Sequence, residues 1–600
     1  MASSQHTYSY EPLPQKNTIR YLILQPGAGD DPLVCSLRAE SIEKVPPFEA
    51  ISYVWGSKER NHEIICGRFS RKRVAITANL RDALKGVRWP NKARVLWADS
   101  ICIDQENRKE QGHQVALMGQ IYQKAARVLI FVGVNPGQHG AAVKSLLADT
   151  RKMIQEGLES IHFAEDAFPY PAEDDPLLSD RRWVSMKALL DLPWFDRGWV
   201  VQEAGLAAEA TVIWGETEFD WLDLLRAYSW VVWRANEVRT ANHLWLNDLH
   251  MSLYEWRHYK EAVAFQPPNF LSDVSFHEVL ESARDLVLTD ERDHVYAFIA
   301  LQSDMAIEPN YEASYLQVYL DFAGNYLLNT HDLTLLDSIQ HTEDTIASEY
   351  PTWVPRWNTL YHVGCWHQSN PPITNPSVLL PLLPTLAAGN ALKVQAVLFD
   401  SINFQFPLSN DSGPLDRIST LWRHLSELPM GSSFPLGSRG LLFTQTLCDR
   451  QYWGTWKRWV AHQAAFMLYL QQLRREDGLD VAELARLEQR AIGGSVNYFI
   501  GCIRERLRNR GFVMTNRGYY GLAPSTIREG DICAIIFGTR VPFALRTTQK
   551  QGRYKVLGNV SIASKENYWN EGEKVFIGLG RKNAQDWLEL GLQEEDILLV

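Results

Sequence analysis

This chain has little of what marks a secreted, membrane-spanning or nucleic-acid-binding protein. Its 7 cysteines, Cys35, Cys66, Cys102, Cys365, Cys448, Cys502 and Cys533, are odd in number, scattered and without CxxC spacing. No disulfide framework is therefore expected, and the thiols read as reduced and intracellular. No apolar run approaches the ~18 residues needed to cross a bilayer. The start, Met1 to Tyr10, has neither the basic nor the apolar region of a signal peptide. The expectation is a cytoplasmic chain with no membrane span. Positive charge is also scarce, with 60 Lys and Arg against 71 Asp and Glu and a net charge of −11. No basic stripe interleaved with aromatics offsets this, so nucleic acid is not an expected partner. The chain has no internal repeat, and with 46% hydrophobic and 22% charged residues it is not a disordered or fibrous one.

What is present is tryptophan, 21 of them in 600 residues, which supply rigid buried area wherever packing must be fixed. A chain this long divides into roughly two to four domains. Residues 1–45 read as N-terminal lead-in strands. Residues 46–220 alternate strand, loop and helix. Ala50 to Trp55, Arg94 to Ala98 and Val128 to Val132 are short apolar strands, and their connections are too long for hairpins. A helix from about Asn107 to Ala126 starts at a capping-box pattern, Asn107 with Glu110, and carries Val115, Met118, Tyr122 and Ala125 on one face. The result is a βαβ unit in a mostly parallel α/β sheet. A helical middle region with Trp- and Pro-rich loops follows at 221–390, then a mixed, mainly helical region at 391–510. A small β-rich module of glycine turns and strands closes the chain at 511–600.

Ligands of open α/β sheets sit outside the carboxyl ends of the strands, and Asp99 and Asp104 fall there. Asp99 can brace its loop or meet a ligand directly. Asp104 is the natural cap of the following helix. Trp199 and Glu203 are four apart and share a helix face. Read alone, that pair is more often a core tryptophan with a surface carboxylate at a helix start, favoured by the macrodipole. Arg197 can hold a carboxylate or phosphate, or pair internally with Glu203 or Asp196. His362-Val-Gly-Cys-Trp-His367 lacks a fourth ligand at recognisable spacing, so no metal or cofactor is assigned. His294 beside Asp293 reads as part of a capped helix start. Ser52 is not in a GxSxG elbow, which argues against a hydrolase triad.

Four blocks in order carry a resemblance: Glu49-Ala-Ile-Ser-Tyr-Val-Trp-Gly56, Leu96 to Gln105, Gln114 to Tyr122, and Arg197-Gly-Trp-Val-Val-Gln-Glu203. They resemble the fungal heterokaryon incompatibility (HET) domain, and Thr289 to Tyr296, Trp353 to Trp357 and the C-terminal module resemble the tails of such proteins. The resemblance implies non-self recognition, in which fusion of incompatible hyphae triggers programmed cell death through an incompatibility partner protein. The family is in turn similar to TIR domains, which implies a flavodoxin-like sheet and a Trp-x-x-x-Glu helix matching Trp199 and Glu203. Catalytic TIR domains cleave NAD+ at the nicotinamide–ribose bond, so Glu203 becomes the candidate catalytic residue and NAD+ or a related nucleotide the expected partner. Nicotinamide leaves as a neutral base, so one carboxylate beside the ribose can suffice. Trp199 or Tyr53 would stack on a base. Gly56, Ser57 and Lys58 would meet a phosphate, and Asp99 and Arg197 would line the site. Activation by homo-oligomerisation is the expected trigger. The alternative expectation is a non-catalytic signalling module that acts by self-assembly and partner recruitment.

Overall fold

The computed structural model describes residues 7–57, 59–67, 72–157, 168–253, 275–301, 305, 307–359, 383–408, 414–427, 436–448, 456–474, 481–504, 506–563 and 591–600. The chain forms two compact units, Met1–Val318 and Tyr319–Val600.

The first unit is built on β1 (Thr18–Leu24), β2 (Val34–Ser41), β3 (Glu49–Tyr53), β4 (His62–Cys66), β5 (Lys72–Ile76), β6 (Arg94–Trp97), β7 (Arg127–Gly133), β8 (Ala210–Trp214) and β9 (Thr217–Asp220). These form a 9-stranded sheet in the order β5-β4-β2-β1-β6-β3-β7-β8-β9. The expected mostly parallel sheet is corrected to a mixed one. β6, β3, β7 and β8 pair in parallel, as do β2 and β4, whereas β1–β2, β1–β6, β4–β5 and β8–β9 are antiparallel. Within the first 45 residues, Thr18–Leu24 and Val34–Ser41 are strands of this sheet. β1 reads as a buried run, and one of its edges is taken by the hairpin partner β2. Its other edge is free to accept β6.

The helices of this unit include α1 (Ala78–Val87), α2 (Asp99–Cys102), α3 (Arg108–Lys124), α4 (His139–Gly157), α5 (Trp183–Leu190), α6 (Trp199–Gly205) and α7 (Trp221–Arg234). Thr77 caps α1 by accepting from the Leu80 amide, and Asn107 caps α3 by accepting from the Glu110 amide. Glu110 does not return the bond expected of a capping box. Its carboxylate is buried against the Arg20 guanidinium of β1 and also accepts from the Asp104 amide at 2.8 Å. Alternation along the strands sorts the two faces. Ser52 and Trp97 face α3 and α6, where Trp97 meets the Tyr122 ring edge-on. Phe131 lies on the opposite face, against Gly86 of α1. A Cβ on Gly119 of α3 would fall 2.1 Å from the Ala300 Cβ, and one on Gly112 would fall 2.4 Å from the Pro309 carbonyl oxygen. Those glycines let Ala300 and Pro309 lie directly on α3.

The second unit contains β10 (Thr385–Ala387), β11 (Ala391–Pro407), β12 (Arg510–Thr515), β13 (Tyr520–Pro524), β14 (Ile532–Ile536), β15 (Phe543–Thr547), β16 (Arg553–Asn559), β17 (Ser561–Ala563) and β18 (Glu595–Leu599). The pairings β11–β14–β15–β16–β18–β11 close on themselves into a barrel. The barrel core includes Val397, Phe399, Cys533, Ile535 and Leu557. Between β11 and β12 the chain makes helices at Pro414–Glu427, Leu436–Leu447, Trp456–Arg474, Val481–Arg490 and Val496–Arg504. Trp422, Phe443, Trp459, Phe466 and Phe499 join them in a second core that also takes in Phe512 and Leu522.

Candidate functional site

β3 and β6 are parallel neighbours, but the chain leaves them in opposite directions across the sheet. From β3 it runs through α1 to β6, and from β6 it passes back over β3 through α3 to β7. Right-handed crossovers then put α1 and α3 on opposite faces. In open α/β sheets the carboxyl ends of such neighbouring strands, here β3 and β6, are where ligands are expected.

The residues after those two strands meet there. The Asp99 carboxylate accepts from the Trp55 indole at 2.7 Å and from the Ser100 amide at 2.7 Å. The Tyr53 and Ser100 hydroxyls are 2.6 Å apart. The Arg197 guanidinium donates to the Tyr53 carbonyl. Among the described residues Arg197 forms no ion pair with Glu203 or Asp196. Its charge acts at longer range and favours the ionised forms of both Asp99 and Glu203.

Glu203, at the end of α6, is 3% exposed. Its carboxyl accepts from the Ser52 hydroxyl at 2.5 Å, and the Tyr122 hydroxyl also reaches it. Ser52 in turn accepts from the Trp194 indole at 2.9 Å. Burial dominates its titration and pushes it from 4.5 up to about 7, with the Asp99 charge adding to the rise. Burial raises Asp99 as well, against the pull of Arg197. Tyr53 is lifted well above its ordinary value by burial and then by the charge of Asp99. The arrangement is two carboxyls with raised proton affinity and one cation between them. It can hold a proton near neutral pH and present negative charge to a developing cation.

The structure thus gathers Tyr53, Asp99, Arg197 and Glu203. It does not put Trp199 with Glu203. The Trp199 indole donates to Asp293 at 3.2 Å instead. Gly56 and Ser57 are exposed on the loop after β3. Gly56 needs to be glycine there, with φ at +68° and the Asn79 amide 2.6 Å from where a Cβ would sit. Lys58 and the segment His362 to His367 lie outside the described residues. Asp104 accepts from the Glu106 amide at 3.2 Å, while Asn107 caps α3. Among the described residues no cluster of His, Cys, Asp and Glu could hold a metal ion, and no helix is long and apolar enough to cross a membrane.

Residues 48–203 match the family described as heterokaryon incompatibility protein (HET). That stretch is similar to the HET domain. Residues 444–563 also match the Het-6 beta-barrel domain, which spans the later interstrand helices and β12 to β17. Along most of its length the chain is similar to heterokaryon incompatibility protein 6, OR allele, of Neurospora crassa. The two are 23% identical over an alignment covering 89% of this chain and 91% of that one. No solved structure matches.

Several site residues of the HET domain were not singled out from sequence. Ser52, Trp55 and Tyr122 all lie inside the quoted blocks, and their hydroxyl and indole donors were the available signal. Ser100 also lies inside the second block, and Trp194 precedes the fourth. Glu49, in the first block, serves the opposite end of the strands. There it pairs with Arg94 at 2.5 Å and Arg127 at 2.8 Å, bracing the starts of β3, β6 and β7.

Proposed function

We propose that this is a fungal heterokaryon incompatibility protein of the cytoplasm, acting in non-self recognition and triggering programmed cell death. We further propose that its first unit is TIR-like and hydrolyses NAD+ through Glu203. The match of residues 48–203 and the likeness to the Neurospora protein along most of both chains support the biological role. One observation carries the chemistry: a buried glutamic acid with its pKa near 7, on which the charges of Asp99 and Arg197 both act. In the reaction the bond between nicotinamide nitrogen and ribose C1′ breaks, and its electron pair leaves with neutral nicotinamide. Ionised Glu203 stabilises the cationic ribose and accepts the proton of the water that adds to C1′. The products are nicotinamide, ADP-ribose and a proton. Glu203 is only 3% exposed, so substrate reaches it only after the surrounding side chains shift. Such a shift suits activation by self-association or by an incompatibility partner.

The same burial, with the Ser52 hydroxyl bonded to the carboxyl, favours a second reading. In it Glu203 is a structural acid and the domain signals by assembly alone. Purified protein, free and clustered through a fused oligomerisation tag, is incubated with NAD+ and scored for nicotinamide alongside Glu203→Ala and Glu203→Gln. Release from the clustered wild type that both variants abolish is expected. If no assembled state releases nicotinamide and the Glu203 variants still kill cells, the second reading stands and the enzymatic one is abandoned.

A further inference from the structure

The HET match stops at Glu203, but a segment far downstream is built into the same site. The Gly198 amide donates to the Val287 carbonyl at 3.2 Å, and the Val287 amide donates back to the Asp196 carbonyl at 2.6 Å. This locks the backbone on both sides of Arg197. A Cβ on Gly198 would fall 2.7 Å from the Leu288 side chain, so Leu288 sits directly on the start of α6. One turn beyond, Asp293 is 8% exposed. It accepts from the Trp199 indole with one oxygen at 3.2 Å and from the Tyr311 hydroxyl with the other at 2.6 Å. The loop that presents Asp293 is itself pinned. Arg292 forms a fork with Asp290 and donates to the Ala313 carbonyl at 2.9 Å, with its guanidinium over the Tyr311 ring.

α6 has seven residues and is too short to hold itself in register. Its last turn carries Glu203, its first turn carries Trp199, and Arg197 precedes it. A shift of the first turn would move the cation and the carboxyl together. We infer that Asp293 is a positioning residue of the Glu203 site, holding the first turn of α6 through the Trp199 indole. Its consequence for catalysis rests on the proposed NAD+ reaction, whereas the structural coupling does not.

The test uses the full chain, with hydrogen-exchange mass spectrometry of wild type, Asp293→Leu, which keeps the size but cannot accept from the indole, Trp199→Phe and the double variant. Amides of residues 197–203 are expected to exchange about tenfold faster in each single variant, with little further gain in the double, because both remove one contact. Amides of β1 are expected to be unchanged. If the wild type releases nicotinamide, each single variant lowers kcat, leaves KM unchanged and displaces the pH of half-maximal activity. Unchanged protection of 197–203 in both single variants, or purely additive effects in the double, overturns the inference. Coupled loss of protection in a wild type that never releases nicotinamide upholds the positioning role and counts only against the NAD+ reading. Should Asp293→Leu fail to fold, Trp199→Phe keeps an aromatic ring in place and decides the matter alone.

Discussion

Replacing Glu203 by glutamine removes a titration that burial has displaced, and the effect on stability follows from the geometry. In the unfolded chain the carboxyl titrates at 4.5, and in the folded one at about 7. The folded state therefore holds the proton more tightly. The stabilisation is fully present below 4.5 and is lost as pH rises through about 7. At about 1.4 kcal/mol for each pH unit, the displacement is worth about 3 kcal/mol. Glutamine keeps the size and the acceptor oxygen for Ser52 but cannot ionise. The titration alone favours the Glu203→Gln chain over wild type by about 3 kcal/mol at about pH 8 and by nothing at about pH 4.5. Leaving one amide hydrogen bond unmade costs the variant about 1 kcal/mol at every pH, so it should be about 2 kcal/mol more stable than wild type at about pH 8 and about 1 kcal/mol less stable at about pH 4.5. Urea pulse proteolysis at a series of pH values, followed on peptides of the first unit, measures the difference directly. Other displaced groups, Asp293 among them, cancel between the two proteins. If the curves of wild type and variant run parallel from acid to alkaline pH, Glu203 is not a buried acid with a raised pKa, and the argument for its role fails with it.

His250, stacked on Trp194 and edge-on to Trp221, and His294 are both pushed by burial from 6.5 down to about 4. Their stabilisation is present above 6.5 and is lost as pH falls through about 4. His250→Phe should flatten the acid side of the stability profile in the same urea assay. The Arg20–Glu110 pair is buried on both sides, at 4% and 6% side-chain exposure. Glu110→Ala should cost about 3–5 kcal/mol because it strands a buried guanidinium, and Arg20→Met with Glu110→Leu should recover much of the loss. A stability loss below about 1 kcal/mol in the single variant would contradict the pairing. Gly119→Val should destabilise the first unit by at least about 2 kcal/mol, since Ala300 already occupies the space of a Cβ. Gly29→Val, where nothing lies within 4 Å, should cost only the strain of its positive φ, about 1 kcal/mol. Thermal unfolding ranks the two.

Much of the first unit was legible because its signals are local. Apolar runs such as Arg94 to Trp97 name buried strands, and Asn107 followed by Glu110 marks the start of α3. The switch-point rule places Asp99 at a ligand edge before any coordinates are known. What was not legible depends on partners distant in sequence. β1 carries the same strand pattern whether it leads into a sheet or lies within one, and only the β6 edge decides. β11 sits in a stretch read as mainly helical, yet it closes a barrel with β14 and β18. Glu110 matches a capping box, but a buried Arg20 offers a charged partner with two bonds, and the stronger interaction prevails. Trp199 and Glu203 share a helix face by spacing, but that spacing is blind to Asp293, about ninety residues further on, which takes the indole.

The sequence alone determined the α/β class of the first unit, the helical and β-rich character of the later regions, the family and the first-choice carboxyl, because each rests on residue order over a few turns or strands. Tertiary structure alone decided the mixed sheet, the barrel closure, the burial that moves Glu203 to a pKa near 7 and the clamp by Asp293. Those depend on which surfaces exclude water from one another. Chain order does not record that.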